Sequence, residues 1–165
     1  MNNLSQYILE KLKLDKDAGK VKYNYHPKNY TELKDLLRKL LNERGKDADL
    51  NDIDVTAVHE MWELFRHLDP HNIDISKWDV SEVTAFTRMF FGCQKFNCDL
   101  SEWDMSSATH LNHMFFDCKN FDCDLEPWSK TLNFDKMVTM NDPFRGCESL
   151  KKIPTWWHED KDNWK

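Results

Sequence analysis

The sequence predicts an α+β repeat solenoid of about four 25-residue units with a helical N-terminal cap. Two consecutive stretches, 74–98 and 99–123, nearly match when one is written above the other. Trp78, Trp103 and Trp128 are spaced 25 residues apart, and an amphipathic leucine pattern precedes the first repeat. A fixed period in this range is typical of repeat proteins, whose units cannot bury their apolar faces alone and therefore stack.

The period extends beyond the two best-matched stretches. Met-Phe-Phe at 89–91 recurs at 114–116, and weaker copies lie upstream and downstream. The predicted units are 48–72, 73–97, 98–122 and 123–150. Cys118 and Cys147 are 29 residues apart, so the last unit carries four extra residues, which we place in a loop between Ser129 and Lys136.

Local structure within one unit is predicted from its apolar spacing. In "FNCDLSEW" the alternation of Phe96, Cys98 and Leu100, extending to Glu102, predicts a short strand. In "VTAFTRMFF", over 83–91, spacings of three and four predict a helical turn or short helix. A residue with positive φ is expected to close that turn, at Gly92 in one unit and Asp117 in the next.

Two caps are predicted at the ends of a single globular domain: 1–47 helical, 48–150 repeats, and 151–165 rich in tryptophan. Residues 29–44 read as an amphipathic helix that begins at Asn29 or Thr31, ends at Gly45 and covers the first repeat. An earlier helix, "LSQYILEKLKL", either packs on this chain or is an arm that docks on a partner. Trp156 and Trp157 either close the last repeat or, if exposed, form a binding hot spot.

The repeat "DISKWDVSEVTAFTRMFFGCQKFN" resembles the BspA-like leucine-rich-repeat family, whose repeats are of the WDVSxVTxMxxMFxGCxxFN type. The resemblance covers roughly residues 48–150. It implies a leucine-rich-repeat-like solenoid that binds proteins. Most members of that family are bacterial surface proteins, so the resemblance also implies a surface or adhesion role.

Catalysis and metal binding are not expected. The chain contains no G-x-S-x-G, Walker loop, G-x-G-x-x-G or H-E-x-x-H motif, and we predict a non-enzyme without a cofactor. Cys93, Cys98, Cys118 and Cys123 could be read as a four-thiolate zinc or redox site. Because both pairs occupy equivalent repeat positions, buried small residues of a stacked core are the preferred interpretation.

Charge is distributed unevenly along the chain. The formal net charge is −6, and residues 73–150 carry seven Lys/Arg against thirteen Asp/Glu. An acidic body repels phosphate backbones, so direct nucleic-acid binding is not expected. Stacked repeats would align acidic positions into rows able to dock a basic surface. The candidate binding residues are Asp74, Asp99, Asp124, Glu102, Glu126, Trp156 and Trp157.

These observations predict a non-enzymatic protein-binding solenoid, an intracellular inhibitor or adaptor for a basic partner such as a nucleoprotein. The most specific version is a phage or mobile-element inhibitor of a host defence nuclease. The alternative is a surface or adhesion protein of the BspA-like type. No signal-peptide pattern or membrane-length apolar run occurs, so we expect a cytoplasmic protein, or a cell-surface one if an export signal is missing from this sequence. The oligomeric state stays open.

Overall fold

The computed structural model describes residues 23–157. Their regular elements are one α-helix, α1 (Tyr30–Arg44), and one 3₁₀-helix, η1 (Glu126–Lys130). Other backbone pairing within this range consists of isolated parallel bridges. They join Tyr25 to Ile53, Asp49 to Asp74, Glu60 to Ala85, Ala85 to His110, and His110 to Thr139.

Helix α1 begins and ends as its sequence predicts. The Asn29 side chain accepts a hydrogen bond from the backbone N–H of Glu32 at 3.0 Å, which satisfies one of the free donors of the first turn. Gly45 follows the helix with φ 92°, a conformation that costs glycine little. Of the two predicted caps, Asn29 is the one used.

The apolar face of α1 packs into the same core as the residues that follow it. Its buried residues are Leu33, Leu37, Leu40 and Leu41. Lys34 Nζ donates to the Glu63 carbonyl oxygen at 3.1 Å, and Arg44 donates to both carboxylate oxygens of Asp52 at 2.8 and 2.9 Å. The helix therefore lies against residues of the predicted first unit. The earlier predicted helix, within "LSQYILEKLKL", lies outside the described residues.

After α1 the chain makes successive passes, which we call coils and number one to four for 48–72, 73–97, 98–122 and 123–150. Bridged residues are 25 positions apart between the first three coils, as from Glu60 to Ala85 and on to His110. The next bridge, His110 to Thr139, spans 29 residues. The four extra residues of coil four therefore lie between Trp128 and Thr139, consistent with the predicted loop.

Within a coil the chain is a succession of tight turns, each closed by an N–H that donates to the carbonyl three residues earlier. Examples are Val83 to Val80 at 2.9 Å and Met89 to Phe86 at 3.0 Å. The same pattern recurs in coil three. Each turn places an apolar residue inside, which accounts for the spacing of three along the sequence.

This pattern corrects two local predictions. No helix covers 83–90; instead Ala85 bridges both neighbouring coils, and turns follow it. No strand covers 96–102, and Glu102 lies in a turn and is exposed. Apolar residues three apart suit a run of turns as well as a helix, so spacing alone does not separate the two.

The core is built from side chains stacked between coils. Phe65, Phe90, Phe115 and Phe144 lie one above another, with ring centroids 5.2, 5.4 and 5.9 Å apart and nearly parallel planes. All four are buried. Each coil thus covers the apolar side chains of the one before it.

Two repeat positions adopt positive φ in all four coils, and coil one has a third such residue, Asp69 (48°). The first is occupied by His67 (69°), Gly92 (73°), Asp117 (57°) and Gly146 (82°), so the prediction for Gly92 and Asp117 is confirmed. The second is occupied by Glu63 (50°), Arg88 (54°), His113 (53°) and Asp142 (44°). The repetition shows that the backbone path, and not only the side-chain pattern, is shared between coils.

A candidate binding face of acidic rows

Aspartates at one position of every coil form what we call the acidic row: Asp49, Asp74, Asp99 and Asp124. In each, Oδ1 accepts the backbone N–H two residues later, at 2.9 to 3.0 Å. These hydrogen bonds close local turns, a role that suits the short aspartate side chain. The row predicted as a binding surface therefore also shapes the backbone, using one oxygen of each carboxylate.

Among residues 23–157, the middle of the acidic row takes part in no ion pair. Asp124 lies 3.7 Å from Lys152 Nζ. Among the ion pairs between described residues, none involves Asp74 or Asp99. Asp99 is exposed and Asp74 half-buried. The row therefore presents two carboxylates at its centre that no ion pair within this range neutralises, although the charge of Lys77 contributes to lowering the pKa of Asp74.

Local hydrogen bonds keep these carboxylates ionised. The backbone N–H and side chain of Ser101 hold the pKa of Asp99 below its usual value. For Asp74, partial burial favours the neutral acid, but hydrogen bonds from Ser76 and Asn51 outweigh it and the pKa is again lowered. Both residues carry a full negative charge at neutral pH.

An open cavity of about 340 Å³ lies between coils three and four beside the acidic row. Its lining residues are Asn97, Cys98, Asp99, Ser101, Asp122, Cys123 and Asp124. Asp122 is ion-paired with Lys151. Oxygen acceptors dominate the polar part of the lining, which suits a cationic side chain better than an anionic one. No group of side chains arranged to hold a metal ion occurs within residues 23–157.

The two predicted glutamates have different surroundings. Glu102 is exposed in its turn. The Glu126 carboxylate accepts the backbone N–H of Thr155 at 2.9 Å and lies 3.8 Å from Lys152 Nζ. Glu126 therefore holds the segment after coil four in place, and only Glu102 is left open to solvent.

The structure does not place Trp156 on the surface. Indole N–H groups donate to carbonyl oxygens of the preceding coil in a repeated series: Trp78 to Leu50 at 2.9 Å, Trp103 to Ile75 at 3.1 Å, Trp128 to Leu100 at 2.8 Å, and Trp156 to Leu125 at 2.8 Å. Trp156 is buried and Trp157 half-buried. Two roles were predicted for these tryptophans, and the buried position of Trp156 agrees with closing the last repeat. An exposed hot spot at Trp156 is wrong, because its ring covers Trp128.

The cysteines separate into two groups. Cys93, Cys118 and Cys147 donate to the carbonyl oxygens of Phe65, Phe90 and Phe115, inside the stack. Cys98 and Cys123 instead line the open cavity. Burial raises the pKa of Cys93 to about 12 and that of Cys98 to about 11. The arrangement matches the core-filling interpretation, since the four cysteines considered for zinc do not converge on one point.

A second surface was missed by reasoning from the sequence. We call it the aromatic strip: a first row of Arg66, Phe91, Phe116 and Arg145, and a second row of Glu63, Arg88, His113 and Asp142. Phe91 and Phe116 stack with centroids 4.9 Å apart and planes 3° apart. The sequence could have indicated this surface, because each row occupies one repeat position. The residues at each position differ in chemical type, however, so the rows are not recognised as a repeated motif.

No curated protein and no solved structure matches the sequence significantly. No helix within residues 23–157 has the length and apolar character needed to cross a membrane. Residues 31–157 match a family described as "Mycoplasma protein of unknown function, DUF285". That family is related to the BspA-like repeat proteins that the sequence resembles. The match covers most of the chain, including α1 from its second residue and all four coils, and the protein therefore belongs to the DUF285 family.

Proposed function

We propose that the protein is a leucine-rich-repeat-like solenoid that binds a basic protein partner through its acidic row and catalyses no reaction. The observation that carries the proposal is that Asp74 and Asp99 are ionised and form no ion pair with another described residue, at the centre of a row fixed by backbone turns. The parallel bridge between Asp49 and Asp74 corresponds to a backbone spacing of about 5 Å between neighbouring positions of the row. A basic surface facing this row would relieve the repulsion between its neighbouring charges.

The state of the titratable groups supports a binding role over a catalytic one. The cavity thiols are protonated at neutral pH because burial raises their pKa values. The neighbouring Asp99 has a lowered pKa, opposite to what a general acid requires. The cavity therefore offers neither an activated thiolate nor a carboxylic acid that could donate a proton. What it presents to a partner is the negative charge of its carboxylates.

In its most specific form, the proposal is that a phage or mobile element uses the protein inside a cell to inhibit a host defence nuclease. A row of carboxylates with regular spacing imitates the charge of a phosphate backbone and would occupy a basic nucleic-acid channel. The alternative is a surface or adhesion protein, which the relation of the family to BspA-like proteins favours.

The test uses variants that remove charge and keep the turns. In the variant Asp74→Asn, Asp99→Asn and Asp124→Asn, each amide oxygen can still accept the turn hydrogen bond. A matched control is available in a second set of aspartates, because Asp54, Asp79 and Asp104 close equivalent turns with Thr56, Ser81 and Ser106. The control Asp54→Asn, Asp79→Asn and Asp104→Asn removes the same charge from a different row.

Each protein is used to capture partners from lysate of the source cell at low salt and at roughly 0.15 M salt. Hits are then titrated as purified proteins. The proposal expects a basic protein whose capture falls with salt and with the acidic-row variant, but not with the control variant. Equal binding by all three proteins would refute the acidic row as the site. Salt-insensitive capture of matrix or envelope proteins would favour the adhesion alternative.

A further inference from the structure

The aromatic strip places two phenylalanines where the core does not need them. Phe91 and Phe116 are partly exposed and lie outside the cluster of side chains that forms the core. Guanidinium groups lie over these rings: Arg66 and Arg88 over Phe91 at 5.1 and 5.9 Å, and Arg145 over Phe116 at 5.6 Å. Aromatic residues, including phenylalanine, and arginine are enriched at protein interfaces relative to the rest of the surface.

The backbone holds the two rows of the strip parallel. For the second row, Glu63 N–H donates to Thr87, Arg88 N–H to Asn112, and His113 N–H to Asn141, at 2.8 to 2.9 Å. Beside the first row, Gly92 N–H donates to Phe116 and Asp117 N–H to Arg145, both at 2.8 Å. The rows are therefore presented as a rigid surface, and little conformational entropy would be lost on binding.

The second row is the chemical complement of the first, coil by coil. Arg66 is ion-paired with Glu63, and Arg145 lies 3.8 Å from Asp142. Glu63 Oε1 also lies 3.5 Å from Arg88 Nη1 of the next coil. Between them, Arg88 lies over Phe91, and the His113 ring meets Phe116 edge-on at 5.6 Å. Every position of one row is thus matched by an attractive group at the same level of the other row.

We propose that the aromatic strip is a homodimer interface whose occupant is a second copy of this chain. A two-fold axis along the strip places the first row of each copy over the second row of the other. Arg66 then faces the partner's Glu63, Phe91 faces the partner's Arg88, and Arg145 faces the partner's Asp142. A surface that is its own complement in this way is the requirement for a two-fold interface.

Charge favours the strip over the rest of the surface for this contact. The strip contains three arginines and two acidic residues, Glu63 and Asp142, so its formal net charge is +1 with histidine neutral. The formal net charge of the whole chain is −6. The exposed ion pairs within each copy contribute little, so exchanging them for pairs across the interface costs little. Burial of Phe91 and Phe116 supplies the gain. The proposal does not rest on the acidic row, which lies in a different part of each coil.

The test uses charge reversals at one contact, read by sedimentation velocity of the full chain from micromolar to submillimolar concentration. In Arg66→Glu, both rows present an acid at that level, and in Glu63→Arg both present a base. Each variant alone should dimerise at least about tenfold more weakly than the unmodified chain, because like charges would face each other. An equimolar mixture should regain dimers, since each variant then complements the other.

The control is Arg38→Glu, which reverses an exposed charge on α1 that is not part of either row and should leave dimerisation unchanged. Circular dichroism of each variant confirms that it is folded. A chain that stays monomeric over the whole concentration range would overturn the proposal. So would a dimer that neither reversal weakens, or two weakened variants whose mixture forms no dimer.

Discussion

Trp103 donates its indole N–H to the carbonyl oxygen of Ile75, 28 residues earlier and in the preceding coil, at 3.1 Å. The ring is buried, so the hydrogen bond is made away from water. Equivalent bonds at Trp78, Trp128 and Trp156 link successive coils through side chains as well as backbone. Each tryptophan thus fixes the spacing of the coils while filling the core between them.

Replacing Trp103 with phenylalanine should destabilise the fold by about 2 kcal/mol, because it removes the indole hydrogen bond and opens a void beside it, although the Ile75 carbonyl still accepts the backbone N–H of Trp78. Urea denaturation followed by circular dichroism measures the change. Trp62→Phe is the control, since that ring is 45% exposed, and should change stability by less than about 1 kcal/mol. Equal effects at the two sites would show that the indole bond contributes nothing particular.

Gly92 and Gly146 share one backbone position but differ in their surroundings. Alanine at Gly92 meets nothing within 4 Å and should cost only the strain of positive φ, about 1 kcal/mol. Alanine at Gly146 would bring its Cβ into overlap with Asp117 Oδ1 and to 3.1 Å from the Asp117 backbone, adding about 1 to 2 kcal/mol. Denaturation midpoints compare the two variants, and equal losses would contradict the assigned crowding.

The ion pair between Arg44 and Asp52 predicts a pH dependence of stability. Hydrogen bonds from Arg44 lower the pKa of Asp52, against a smaller opposing effect of burial. A carboxyl group whose folded pKa is lowered stabilises the fold above its unfolded pKa of about 3.9 and loses that contribution as the pH falls further. Thermal unfolding between about pH 7 and pH 2 should therefore show a decline that is shallower in Asp52→Asn. Identical slopes in the two proteins would contradict this assignment.

The five cysteines should react slowly in the folded protein. Burial raises the pKa of Cys93, Cys123 and Cys147 to about 12, raises that of Cys98 to about 11, and raises that of Cys118 further. Because the thiolate is the reactive form, titration with a thiol reagent at neutral pH should be slow until denaturant is added. Rapid modification of one cysteine in the folded protein would contradict this. Metal analysis of the same sample tests the zinc alternative directly.

The sequence by itself determined the features that depend on which residue type stands at which repeat position. The 25-residue spacing, the buried tryptophan and phenylalanine positions, the place of the extra residues and the cap at Asn29 were all predictable. They could be predicted because stacked units bury the same positions, and because capping depends on neighbours along the chain. Assignment to the leucine-rich-repeat class and the binding function remain proposals.

Only the tertiary structure decided the features that depend on contacts between coils. A series of bridges runs through Ala85, whereas 96–102 forms no strand, and apolar spacing could not show this, because a run of turns and a helix share it. The sequence did not decide whether the Trp156 side chain is buried or exposed. In the structure its ring stacks on Trp128 and its indole N–H donates to the Leu125 carbonyl oxygen. The ion pair of Arg66 with Glu63 and the contact of Arg88 with the Phe91 ring form because a turn brings residues three apart together on the surface. The conformation of that turn is known only from the folded chain.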